Sequence, residues 1–151
     1  MKSKIFNVFA LIVLIILACN KDNNTSNISS TNSRKSHNQG QNCMNCHVSG
    51  GKGEGWFQAA GTVYDSTLAK TNPNGFIDLY TEPNGAGTLV KRIAVDGLGN
   101  FYTTESISFT NGLFPSVVSS TGKKKFMSGS ISIGACNSCH GSSQDKIWVE
   151  N

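Results

Sequence analysis

Charge is scarce in this chain: 15% of its 151 residues are Asp, Glu, Lys or Arg. The formal net charge of +4 shrinks once its sources are located. Lys2 and Lys4 sit in an apolar leader, and without them 11 basic residues face 9 acidic ones, an excess of +2. That is too little for a surface that tracks phosphates, which excludes nucleic acid as a partner. Long apolar runs are lacking too. The longest, residues 5–18, is broken only by Asn7 and falls short of the roughly 20 residues a permanent membrane helix needs. Beyond it Gly, Ser, Thr and Asn dominate, which disfavours a helical bundle and favours strands and turns. At 16.1 kDa there is room for one domain.

What the leader does contain is specific. Met1-Lys2-Ser3-Lys4 is a short positive start, the apolar stretch follows, and it closes on Ile16-Leu17-Ala18-Cys19. This has the form of a secretory signal. The closing residues resemble the lipobox of bacterial lipoproteins, in which a small residue precedes a cysteine that takes a diacylglycerol thioether and becomes the new N-terminus. The resemblance implies a signal peptide over residues 1–18 and lipidation at Cys19. It also implies a membrane anchor made of acyl chains and a place in the bacterial cell envelope. Asn20 is not the aspartate that retains some such proteins at the inner membrane, so the expectation is an outer-membrane lipoprotein facing the periplasm or the cell surface. Residues 19–42, rich in Asn and Ser and nearly free of apolar side chains, are expected to form a disordered, flexible tether.

Two motifs bracket what remains. Cys43-Met44-Asn45-Cys46-His47 returns about ninety residues later as Cys136-Asn137-Ser138-Cys139-His140. Between them, residues 56–64, 76–81, 88–95, 113–119 and 124–128 read as strands, with 95–102 as strand, turn and strand. Residues 106–109 read as a connection. Asn111-Gly112 and Thr121-Gly122 mark turns. The expectation is a mainly β domain over residues 43–151: a small antiparallel sandwich of six main strands, flanked by the two CxxCH segments. An even strand number returns the chain to the end it entered, which brings the motifs together. Ala60-Gly61-Thr62-Val63-Tyr64-Asp65, Phe76-Ile77-Asp78-Leu79-Tyr80 and Asp96 through Gly99-Asn100-Phe101 resemble the carboxypeptidase regulatory-like, or transthyretin-like, sandwich. That resemblance spans about 60 residues, implies a scaffold or binding module, and carries over no catalytic residue. Asp96 and Asn100 read as a hairpin turn, since one carboxylate does not make a calcium loop.

The cysteines divide without remainder into Cys19 and two CxxC pairs, and two of the three histidines directly follow a pair. CxxCH is the attachment signature of c-type haem. Two thiols add across the two vinyl groups of a porphyrin, and the following histidine reaches the iron from the proximal side. The chain therefore resembles a c-type cytochrome in its motifs. The resemblance implies two covalent haems c, held by Cys43, Cys46 and His47 and by Cys136, Cys139 and His140, with one-electron transfer to a redox partner protein. It does not extend to the helical single-haem fold, because the intervening sequence is β. Distal ligands are open: His37 and Met127 are candidates, with water or lysine as alternatives. Other readings of the pairs also stand, namely structural zinc, disulfides, or a redox dithiol. With haem, a ligand binder or small peroxidase is the alternative to electron transfer. Without it, the alternative is a sandwich that binds a partner or a glycan. Lys123-Lys124-Lys125 reads as a solvated patch guarding a sheet edge, and Trp56 and Trp148 as sandwich core.

Overall fold

The computed structural model describes residues 24–151, so the expected signal peptide and Cys19 lie outside the described residues. The chain forms the expected β-sandwich. One sheet has the order β3-β2-β5-β6, built from β2 (Phe76–Tyr80), β3 (Leu89–Ala94), β5 (Phe114–Val118) and β6 (Lys124–Phe126). All its pairings are antiparallel. The other sheet centres on β1 (Ala59–Tyr64), whose one edge pairs antiparallel with β4 (Asn100–Thr103). Its opposite edge takes two short parallel partners, β7 (Gly134–Ala135) and β8 (Ile147–Trp148), which the period-2 pattern did not indicate. Two-residue strands are too short to show alternation. Among the described residues no helix is long and apolar enough to cross a membrane.

Alternation decides which side chains face inward. Ala59 and Val63 of β1 meet Ile77 and Leu79 of β2, Ile93 of β3, Phe101 of β4 and Val117 of β5 in one core. In β1 all six residues are buried, so its outer face is covered as well. Ala60 packs there with Phe57 and Tyr102, and Cys43 and Met44 lie against them. Gly61 is needed on the inner face, since a Cβ there would come 2.7 Å from the Phe101 ring. On the outer face of the other sheet, the buried carboxylate of Asp78 accepts from Arg92 Nε and Nη2, both at 2.7 Å.

Residues 24–42 are not a free tether. Ile28 bridges antiparallel to Thr103, and Ser29 N donates to the Tyr102 carbonyl at 2.9 Å. The buried Ser29 hydroxyl donates to the Ala94 carbonyl at 2.6 Å and accepts from Tyr102 N at 2.9 Å. Gly97 N donates to the Ser33 carbonyl at 2.7 Å. The physical reason is the open edge of β4, whose backbone groups need partners. A polar segment supplies them without burying much apolar surface.

Candidate functional site

Both motifs fold in the same way. Cys43–Asn45 and Cys136–Ser138 are single 3-10 turns. In each, the carbonyl of the first cysteine accepts from the amide of the second, at 3.1 and 3.3 Å, and from the histidine amide, at 3.0 Å in both. The turn sets the two cysteines three residues apart and the histidine four from the first, and in each motif all three line the same cleft. Asn42 caps the first turn by accepting from Met44 N at 3.2 Å.

The chain then loops back to hold each imidazole. Nδ1 of His47 lies 2.9 Å from the Glu54 carbonyl, and Nδ1 of His140 lies 2.6 Å from the Asp145 carbonyl. A carbonyl only accepts, so each Nδ1 carries a proton, and in the neutral ring the lone pair is then on Nε2. A metal-bound histidine usually gives its other ring N–H to a carbonyl in this way. Around His47 the fit is tight: its ring stacks on Phe57 at 4.1 Å and 8°, and Phe57 stacks on Tyr102 at 4.9 Å. A Cβ at Gly53 would lie 2.6 Å from His47 Nδ1, so only glycine lets the loop pass this close.

The second motif is seated in a gap. β7 pairs with Ala59 and Ala60, β8 with Val63 and Tyr64, and residues 136–146 leave the sheet edge between them. There the buried Asn137 side chain takes the place of a strand. Its Oδ1 accepts from Thr62 N at 3.2 Å, and its Nδ2 donates to Thr62 Oγ1 at 3.2 Å. The same Nδ2 donates to the Gln41 carbonyl at 3.0 Å, two residues before Cys43. The two motifs thus meet along β1, though not through the expected even count: seven strands lie between them, and the seventh, the two-residue β7, runs parallel to the start of β1 and leads straight into the second motif. They face different spaces. The first opens onto a cleft of about 830 Å³ on the outer side of β1 and β4, lined by His37, Cys43, Cys46, His47, Phe57 and Tyr102 among others. The second opens onto a cleft of about 660 Å³ at the mouth of the sandwich, with Ile77, Val117, Met127, Trp148, Cys136, Cys139 and His140 in its walls. Both fall within the roughly 300–1,000 Å³ typical of small-molecule sites.

All four described cysteines carry free thiols, with Cys46 and Cys139 exposed and Cys43 and Cys136 half-buried. Burial pushes the Cys43 thiol up and takes the Cys136 thiol to about 12, with neighbouring Cys43 and Cys139 adding to the latter. Among the described residues no three His, Cys, Asp or Glu side chains gather as a cation's ligand set.

The distal candidates separate as well. The His37 ring centroid is 6.0 Å from that of His47, while Met127 follows the end of β6 and lines the second cleft. Lys125 departs from the solvated patch expected of the lysine run. It turns toward the second cleft with Nζ 2.8 Å from the Trp148 ring centroid, and burial lowers its pKa. Trp56 and Trp148 are half-buried rather than core. Sequence reasoning missed Phe57, Asn137 and the Glu54 and Asp145 carbonyls. Only the glycines after each motif, such as Gly53 and Gly141, hinted at a tight return. Comparison with known protein families, with curated proteins and with solved structures finds no match to this chain.

Proposed function

We propose that this chain is a dihaem c-type cytochrome that carries out one-electron transfer at the bacterial cell envelope, anchored by lipid at Cys19. The observation that carries the reading is the treatment of the two motif imidazoles. Both have Nδ1 bound to a main-chain carbonyl, both leave Nε2 available, and both lie beside two free thiols at the wall of a cleft. A disulfide or a redox dithiol would give no reason for either histidine to be oriented.

The residues present fit the group. Cys43 and Cys46, and likewise Cys136 and Cys139, would each add S–H across a vinyl C=C, forming a thioether C–S bond and moving the proton to the neighbouring carbon. His47 and His140 would then supply proximal nitrogens, with tautomer and ring plane already set. When bound, haem supplies a ferric/ferrous couple that moves one electron at a time. The chain's share is tethering, orientation, and control of how much solvent each cleft admits. Asn137 and Gln41 keep the two motifs in register across β1.

The test is pyridine haemochrome absorbance of the protein exported by cells able to attach haem c. Two covalent haems per chain are expected, falling to one when Cys136 and Cys139 are both replaced by Ala. Protein exported without any covalent haem overturns the reading.

A further inference from the structure

The reading of two haems leaves open whether the two irons are equivalent, and the structure distinguishes their surroundings. In the first cleft, His37 and His47 both lie in the wall, with ring centroids 6.0 Å apart and planes tilted by 33°. Two imidazoles ligating one metal from opposite sides at about 2.0 Å each would have centroids on the order of 6 Å apart. Unlike a side chain on a loose tether, His37 belongs to a stretch clipped to the sheet. The buried Asn100 donates from Nδ2 to the His37 carbonyl at 3.1 Å and to Ser36 Oγ at 3.0 Å. Its Oδ1 accepts from Thr62 Oγ1 at 2.7 Å, and Thr62 Oγ1 in turn accepts from Gly40 N at 2.9 Å. The backbone on both sides of His37 is therefore placed by β1 and β4.

The second cleft differs in kind. The chain has three histidines, and the other two belong to the first cleft, so His140 has no imidazole opposite it. What the wall offers instead is the Met127 thioether among Ile77, Val117, Ile131 and Trp148.

Resting on the dihaem reading, we propose that His37 is the second axial ligand at the first site, so that the two haems are inequivalent: one bis-imidazole and one not. The first iron is then low-spin and has the lower midpoint potential. A site without a second imidazole, in a more apolar cleft, lies higher, because apolar walls disfavour the ferric charge and a thioether ligand such as Met127 would raise the potential further. Asn100 acts through His37 as a positioning residue.

Electron paramagnetic resonance of the oxidised holoprotein, with haem counted by pyridine haemochrome on the same sample, tests this. In wild type, one haem of the two should give a bis-imidazole low-spin signal. In His37→Ala, with two haems still attached, that signal should give way to a high-spin one while the other haem's signal stays. Added imidazole should restore the lost signal. His37→Met covers the case in which the alanine variant loses haem: it should raise one midpoint potential and leave the other in place. An unchanged low-spin signal and unchanged potentials in variants carrying two haems overturn the assignment of His37 and leave the dihaem reading intact. Wild-type protein without covalent haem overturns both.

Discussion

At the scale of single residues, the two members of each cysteine pair are chemically unlike. The first of each pair packs against apolar neighbours, Cys43 on Phe57, Ala60 and Tyr102, and Cys136 on the sandwich core. The second stands in solvent. Thiolate is the reactive form, and burial disfavours it. Burial pushes the Cys136 thiol up to about 12, so it stays protonated at pH 8. In folded protein exported without haem, iodoacetamide should therefore label Cys46 and Cys139 first. Labelling of Cys136 should be slower and should rise about tenfold per pH unit through the alkaline range, because pH there lies below its pKa. Peptide mass mapping over time checks this, and equal rates at all four thiols would refute the burial argument.

Among the elements, β1 organises the molecule. Its small residues, Ala59, Ala60 and Gly61, allow close approach from both faces. Its free edge is shared among β7, the second motif and β8. Asn137 closes the gap between those two strands, and its three side-chain bonds are the joint between the motifs. Replacing Asn137 with Ala leaves the Thr62 amide buried without that partner, at a cost of about 2–3 kcal/mol. The expected result is a lower urea midpoint with an unchanged slope. A loss under about 0.5 kcal/mol would mean that the edge is closed by something else.

For the whole molecule, the lipid anchor proposed at Cys19 would be separable from the sandwich. Cys19 lies outside the described residues, and among those residues the lining of the two clefts runs from Thr25 onward. Cys19→Ala should thus abolish incorporation of labelled fatty acid and cleavage at this site, while the haem content per chain stays at two. Fatty acid still incorporated into the variant would remove the lipobox reading. Haem lost together with lipid would show that anchoring and cofactor attachment are coupled. Residues 24–42 belong functionally with the sandwich, since they cover the β4 edge and carry His37 into the first cleft.

Much of this was legible from residue order alone. Alternating apolar residues and glycine turns located β1 to β6 to within a few positions. The two CxxCH segments are visible in sequence as local spacing, and each folds as a single turn of backbone. Three things were decided only by tertiary structure. The segment around Ser29 and His37 reads as disordered because composition measures apolar burial, whereas that segment is held by hydrogen bonds to an edge strand far along the chain. The parallel pairings of β7 and β8 involve two residues each and leave no periodic trace. The carbonyls that orient His47 and His140 belong to the backbone, which every residue carries alike. No side-chain pattern can therefore say that Glu54 and Asp145 are the residues whose carbonyls turn back to meet them. Local sequence determined which atoms were available for chemistry, and long-range packing determined which way they point.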